Sequence, residues 1–478
     1  MPVQNDGVEN KAHFTVADVL AATGGRHVSG PSDGVFKGVL TDSRKVAGGE
    51  FFVALVGERH DAHRFVADVA QAGAGGALVE ESRLDQLDTV EIGKTGTTLI
   101  AVPDTGRGFG DLAAWHRRRL GVRVVGITGT NGKTSAKEFL ASVLAGRYRT
   151  LATVGNFNNL VGVPITLFRL DEQHEWAVLE LGMNHAGEIA RLTEITAPDI
   201  GIITNVGPGH LEGVGSLGGV LSAKKELLDH MPGQVAVLNA DDRTVAGLAD
   251  GFSGRVLLFG WSPDADVRAR DLVQDRDGLR FVLEIPDGAA EVRLAMHGAC
   301  MVSNALAAAA GAYAAGLGLD DIRRGLERSA RIRGRQNVRI LGRGIGLVDD
   351  TYNANPASMS AAIDTLVTLK GEGRAFLVVG DMLELGRYAR QAHEKLGSLA
   401  AISGISRVFA AGAHANDVAR GALEGGMSPD QVVTGDKKTL TQGLLAHLEP
   451  GDWVLVKGSR GMGMEEVAAG LEQGLANT

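Results

Sequence analysis

The 478-residue sequence predicts an α/β protein of three domains, and three observations predict it. The length exceeds what a single hydrophobic core organises, at roughly 100–200 residues per domain. Two long stretches, one from Val122 and one from Gly344, alternate short apolar runs with segments of helical period. That alternation is the signature of a mostly parallel sheet with helices on both faces. The stretch before Val122 mixes shorter strands and helices, within a chain whose 44% hydrophobic and 22% charged content is that of an ordinary globular protein. The expected division is a small α/β N-terminal domain over 1–118, a central mostly parallel sheet domain over 119–333 and a C-terminal Rossmann-like α/β domain over 334–478.

In the first domain "GVLTDSR" and "EFFVAL" read as strands, "HRFVADVAQAG" as a helix, and "GALVE" and "TLIAVP" as strands again. "GRGFGDLAAWHRRRLG" has a helical period and stops at Gly121, which makes it the connector into the second domain. There "VRVVGIT", "WAVLEL", "IGIITNV", "QVAVLNA" and "RVLLFG" are strands, with "SAKEFLASVLA", "IARLTEI" and "SAKKELLDHM" as helices between them. After Trp261 "VRARDLV", "LRFVLEI" and "EVRLAM" alternate as a small antiparallel appendage, and the Ala-rich helix from Met301 closes the unit. The arginine-rich "RIRGRQNVR" marks the next junction. Beyond it "GIGLVDD", "RAFLVVGD", "RVFAAG", "QVVTG" and "WVLVKG" alternate with helical segments as a second doubly wound unit.

Charge and composition exclude several classes. A formal charge of -9 and a pI near 5.8 leave no broad basic surface, so nucleic acid is not an expected partner. Cys300 is the only cysteine, which rules out an intrachain disulfide and a cysteine-rich metal cluster and fits a reducing cytoplasm. The opening "MPVQNDGVEN" lacks the basic-then-apolar pattern of a secretory signal. The longest apolar stretch, Ala305 to Leu319, is too short and too rich in Ala and Gly to span a bilayer, and reads as a buried helix with its loop.

The chemistry concentrates in a few loops. "GITGTNGKTSAKEFL" runs from a strand through a glycine-containing turn into a helix, the arrangement in which successive backbone N–H groups cradle an anion. It departs from the GxxxxGK[ST] spacing, because Ile127 stands where the first glycine belongs. Gly129, Thr130, Asn131, Gly132 and Ser135 would hold nucleotide phosphates, with Lys133 reaching the β and γ phosphates and Thr134 ligating Mg²⁺. On this ground the central domain is expected to be of P-loop type with a nucleotide site, the alternative being a plain strand–turn–helix with a surface lysine, and its reading as an ATPase domain rests on the resemblance given below. Glu180 ends the strand "AVLEL", where a carboxylate serves a metal or is an ordinary strand-end charge. His210 lies in the glycine-rich "GPGHLEG", as a ligand or a packing residue. "SAKKELL" presents Lys224 and Lys225, either of which is a solvated charge or a member of a metal-rich pocket. Asn304, in the first turn of an apolar helix, caps it or reads a base edge. "VDDTYNANPASM" ends a strand with Asp349 and Asp350, and turn chemistry accounts for Asn353, Asn355 and Pro356.

Taken together, "TGTNGKTS", "GNFNNLVGVP", "LELGMNHAGEI", "TNVGPGHLE", "AKKEL", "HGACMVSNALAAA", "DDTYNANPASM" and "VKGSRGMGMEEV" resemble the Mur ligases of bacterial cell-wall synthesis, over nearly the whole chain from Thr41 to Val467. Their order and spacing look most like the members that add D-alanyl-D-alanine to UDP-N-acetylmuramoyl-tripeptide. This family uses a loop with a non-glycine residue at the position of Ile127. The resemblance implies ATP and two Mg²⁺ ions as cofactors, with Lys133, His210, Lys224 and Arg335 in catalytic positions. It implies Thr134, Glu180, His210 and a carbamylated Lys224 as metal ligands, Lys225 being the bland neighbour. Asn304 would contact adenine, Arg335 the γ-phosphate, and Asp350 the ribose or the hinge of the ATP pocket. Ser43 and Arg44 of "TDSR" would meet the uridine diphosphate, Asn158 and Asn159 of "GNFNN" the muramoyl peptide, and Asn353 and Asn355 would help admit D-alanyl-D-alanine. A cytoplasmic monomer without a membrane span is expected. Folylpolyglutamate synthase resembles the same ATP core, but "LTDSR" and "FFVALVGERHDAH" precede the core here. A nucleotide-binding switch protein is a rival of another class, and it leaves Glu180, His210, Lys224 and Asp350 as coincidences.

Overall fold

The computed structural model describes residues 10, 12–57, 60–275, 277–329 and 334–476. The opening stretch through Glu9, and Arg331 and Arg333 of the junction, lie outside them. By density of contacts the chain falls into two compact units. One comprises 1–126, 148–182 and 188–199, and the other 127–147, 183–187 and 200–478.

The first unit contains a five-stranded sheet. Three of its strands, Phe51–Val53, Gly76–Glu80 and Thr98–Val102, pair in parallel in that order. Every residue of Thr98–Val102 is buried, as suits a strand covered on both faces. The "TDSR" segment departs from the expected strand. Only Val39–Leu40 is extended, and Ser43–Lys45 forms a 3-10 turn because the Asp42 carboxylate accepts from the Arg44 backbone N–H at 3.1 Å. The expected connector helix spans Thr105–Leu120, capped by Asp104 and stopped by Gly121 in the left-handed region.

In the second unit six strands pair in the order Gly288–Leu294, Leu279–Ile285, Val267–Gln274, Arg255–Gly260, Val235–Asn239 and Ile200–Ile203, and in the first unit Trp176–Glu180 pairs in parallel with Thr150–Ala152. The expected antiparallel appendage is the edge of the second unit's six strands, since Val267 and Arg268 pair in parallel with Phe259 and Gly260 before the chain turns back on itself. The Ala-rich helix begins at Ala299 and runs to Ala314, with all but a few of its side chains buried. A helix apolar all round belongs inside a protein.

The C-terminal six-stranded sheet has the order Asn337–Ile340, Gly346–Asp350, Trp453–Lys457, Ala375–Val379, Arg407–Ala410 and Val432–Thr434. Its first pair is antiparallel and the rest parallel. Along Ala375–Val379 the side chains divide by the period of two: Ala375, Leu377 and Val379 enter one apolar cluster, while Phe376 and Val378 enter the other. Both faces are thus covered, the doubly wound arrangement expected for this stretch. No described helix is long and apolar enough to cross a membrane.

Candidate active site

The strand Arg123–Thr128 ends in the turn Gly129–Asn131, and Gly132 leads into the helix Lys133–Leu144. Ile127, at the position of the missing first glycine, is a fully buried strand residue. The loop is shorter, and its special backbone begins two residues later. Gly129 has φ 146°, and a Cβ there would lie 1.9 Å from Thr204 Oγ1. Gly132 has φ 84°, and a Cβ there would lie 2.1 Å from Asn304 Oδ1. Both the conformation and the close approach therefore require glycine.

The loop is held from the segment after Ile200–Ile203. Thr204 Oγ1 donates to the Asn131 carbonyl at 2.6 Å, the Asn131 N–H to Asn205 Oδ1 at 2.9 Å, and the Gly207 N–H to Thr130 Oγ1 at 2.9 Å. Lys133 Nζ curls back over the turn to the carbonyls of Gly129 and Thr130, at 2.7 and 3.2 Å. No side chain caps the helix that follows. An uncapped N-terminus behind such a turn can receive an anion through backbone N–H groups and the helix dipole. Thr134 and Ser135 are buried in its first turn.

Residues from the far end of the sequence reach this loop. Arg335 Nη2 donates to Thr134 Oγ1 at 3.2 Å, its guanidinium lies 4.1 Å from the centre of the Tyr352 ring, and its buried Nε has no hydrogen-bond partner among the described residues. Asn355 and Asn131 exchange amide hydrogen bonds at 2.7 and 3.3 Å. Asn355 also caps the helix Pro356–Lys370 in a capping box with Ser358. Asn304 stands over Gly132 from the second turn of its helix. It is the sixth residue from Ala299, so it does not cap that helix, and the capping alternative is removed.

Asp350 is committed to internal bonds. Its Oδ2 accepts from Lys457 Nζ at 2.7 Å and its Oδ1 from the Gln336 N–H at 3.2 Å. Asn353 accepts the Ala354 N–H on its side chain, while its carbonyl accepts from Lys457 at 2.8 Å. His210, at φ 55°, puts Nδ1 2.8 Å from Glu384 Oε2, and Glu384 is itself left-handed at φ 63°. The adjacent imidazole, with Lys133 as a further cause, holds the Glu384 carboxyl below its ordinary range. Sequence reasoning named neither Glu384 nor Lys457. "GDMLELG" and "VKGSRG" hold them after apolar strands, where ligand-facing residues of a parallel sheet sit.

The helix Leu217–Asp229 separates the two adjacent lysines. Lys224 faces inward with Ala223 and Leu227 and is 1% exposed, whereas Lys225 faces solvent and pairs with Asp229.

The remaining candidates lie in the first unit. Glu180 is buried at the end of its strand, where its backbone N–H donates to Thr153 Oγ1 and its Oε1 accepts from Asn158 Nδ2 at 2.8 Å. Asn159 accepts the N–H groups of Val161 and Gly162 and so starts the short helix Gly162–Leu167. Ser43 opens the 3-10 turn, and Arg44 grips Asp42 through Nε and Nη2 at 2.9 and 2.8 Å. That bidentate contact holds the Asp42 carboxyl down at about 2. Among the described residues no three His, Cys, Asp or Glu side chains converge as a metal site.

The family profile of the Mur ligase middle domain matches residues 127–312, and that of the Mur ligase glutamate ligase domain matches 334–460. The chain is 40% identical to the UDP-N-acetylmuramoyl-tripeptide--D-alanyl-D-alanine ligase of Escherichia coli, over 91% of this chain and 93% of the relative. It is similar to a crystal structure of MurF from Acinetobacter baumannii, at a TM-score of 0.88 and 34% identity over 97% of this chain and 100% of that one. A structure of MurF ligase from Thermotoga maritima in complex with ADP aligns at a TM-score of 0.82 and 27% identity, over 92% of this chain and 98% of that one.

Proposed function

The chain belongs to the Mur ligase family, and from that premise we propose that it adds D-alanyl-D-alanine to UDP-N-acetylmuramoyl-tripeptide with cleavage of ATP to ADP and phosphate. The observation that carries this reading is the closure of the 129–134 loop by Arg335 and Asn355, two residues some 200 positions away in the sequence. A phosphate loop that is completed only by a C-terminal arginine suits phosphoryl transfer better than simple nucleotide storage.

An amine does not displace oxide from a carboxylate at a useful rate. The terminal carboxylate of the tripeptide therefore attacks the γ-phosphorus of ATP, the bond from that phosphorus to the bridging oxygen breaks, and an acyl phosphate and ADP result. The D-alanyl-D-alanine amine adds to the acyl carbon, loses a proton, and the tetrahedral intermediate expels phosphate to leave an amide. Gly129, Thr130, Asn131, Gly132 and Ser135 hold the phosphates of ATP, and Lys133 leaves its loop carbonyls to meet them. Arg335 offers a second positive charge, with the Tyr352 ring as its shelf. Asn304 reads the adenine. Asp350 acts at the hinge of the ATP pocket, as its bonds to Lys457 and Gln336 suggest.

The donor set suits Mg²⁺, a hard cation that takes oxygen ligands: the Thr134 hydroxyl and the Glu180 carboxylate are of that kind, and His210 adds an imidazole. Bound Mg²⁺ supplies positive charge beside the transferring phosphoryl group. Lys224 joins this set as a carbamate, which turns an ammonium into an anionic oxygen donor, and its burial beside the exposed Lys225 favours it for that role. Ser43 and Arg44 meet the uridine diphosphate, Asn158 and Asn159 the muramoyl peptide, and Asn353 and Asn355 the incoming dipeptide. The three-domain division at 118/119 and 333/334 gives each reactant one domain, in a cytoplasmic monomer.

An isotope experiment tests the intermediate. UDP-N-acetylmuramoyl-tripeptide labelled with ¹⁸O in its terminal carboxylate should pass one labelled oxygen into the released phosphate. Phosphate that carries no label would rule out the acyl phosphate.

A further inference from the structure

Lys457 ends the strand Trp453–Lys457 in the interior of the C-terminal sheet, in register with Asp350 on one side and Val379 on the other. Its side chain is 2% exposed and that of Asp350 is 7% exposed. A buried ion pair gives little net stability over an apolar pair of the same shape, so stability alone does not account for it. The ammonium donates to Asp350 Oδ2 and to the Asn353 carbonyl, at 2.7 and 2.8 Å, and Ser459 Oγ donates to the Ala354 carbonyl at 3.3 Å. On the opposite side the Tyr352 N–H donates to the Gly334 carbonyl at 3.1 Å and the Gln336 N–H to Asp350 Oδ1 at 3.2 Å. The segment 350–355 is thus clamped from both sides. That segment carries the Tyr352 ring on which Arg335 rests and the Asn355 amide that meets Asn131.

We propose that Lys457 is a positioning residue for phosphoryl transfer: by tying Asp350 to Asn353 it holds Tyr352, and through Tyr352 the Arg335 guanidinium, against the phosphate loop at Thr134. The proposal rests on the reading of Arg335 as the charge that meets the γ-phosphate.

A double-mutant cycle separates this role from that of an ordinary core ion pair, because residues that act through one another do not add. Lys457→Met, Arg335→Ala and the double variant are compared by steady-state phosphate release, with thermal unfolding as the check on folding. Lys457→Met is expected to lower kcat by about 10- to 100-fold, the scale of a misplaced reacting group, with the KM of the UDP-substrate within about twofold of wild type. The double variant is expected to be no slower than Arg335→Ala. A folded Lys457→Met with wild-type kcat overturns the proposal, and so does a double variant slower than Arg335→Ala by the whole Lys457→Met factor. Should Lys457→Met lack a folding transition, Lys457→Met with Asp350→Asn removes both buried charges and takes its place in the cycle, with the same deciding outcomes. Wild-type kcat in Arg335→Ala alone would overturn the reading of Arg335 beneath the proposal, a failure separable from the others.

Discussion

Lys224 and Lys225 are chemically alike and differ only in where the helix points them. A neutral amine adds to carbon dioxide to form a carbamate, and a site that shelters the product from water sustains it. Lys224→Ala is expected to lower turnover by about 100-fold or more, the upper range for lost metal-site groups, while Lys225→Ala, which loses one exposed ion pair, stays near wild type. Turnover by the wild type should rise with added bicarbonate and that of Lys224→Ala should not. Equal activity in all three proteins would remove Lys224 from the metal set. Arg335→Ala is expected to cost roughly 1,000-fold in kcat with little change in the KM of ATP, the pattern of a charge used in the transition state. A rise in KM alone would make Arg335 a binding residue.

At the scale of elements, the phosphate loop depends on backbone shape. Gly132→Ala would place a methyl group against the Asn304 amide at a left-handed position, whereas Gly24→Ala, at φ 64°, meets nothing within 4 Å. Gly24→Ala is expected to cost about 1 kcal/mol of stability through its backbone conformation alone. It should keep the rise in melting temperature that ATP brings to the wild type, and Gly132→Ala should lose that rise. Retention of the ATP shift by Gly132→Ala would show that phosphate binds elsewhere.

These elements also show what a linear reading can and cannot reach. The loop, its strand and its helix were legible because "GKT" after an apolar run is a local pattern, and so was the C-terminal alternation, where a strand covered on both faces leaves a continuous apolar run from Ala375 to Val379. The 3-10 turn at Ser43 was missed because one Asp42 hydrogen bond decides it against the β-prone neighbours. The strands after Trp261 looked detached because their parallel bonds to Phe259 and Gly260 are few. Lys457 and Glu384 were passed over because their partners, Asp350 and His210, stand more than 100 positions away in sequence, and no local rule pairs them.

At the scale of the whole molecule, acid should lower the stability of the first unit through His116. His116 is buried against Phe14 and Phe168 with Arg119 and His13 nearby, its Nε2–H donating to the Leu170 carbonyl at 3.1 Å. Burial, opposed in part by that hydrogen bond, pushes its pKa down to about 4 from 6.5. The unfolded chain therefore binds the proton first. The stability that the neutral ring contributes is fully present above pH 6.5 and is lost as the pH falls towards 4, at most about 3 kcal/mol for this one group. His116→Phe, which keeps the aromatic packing and cannot charge, should flatten the fall in stability between those pH values by about that amount. Parallel curves for the two proteins would assign the acid sensitivity to other groups.

ATP cleavage here serves the joining of two substrates, and phosphate release with Mg²⁺ and ATP tests this in the presence of UDP-N-acetylmuramoyl-tripeptide, D-alanyl-D-alanine, or both. The expected result is sustained release only with both, matched one for one by a UDP-N-acetylmuramoyl-pentapeptide identified by mass. Release that ignores either substrate, or that proceeds without the pentapeptide, would mean that ATP cleavage is not tied to the joining of the two.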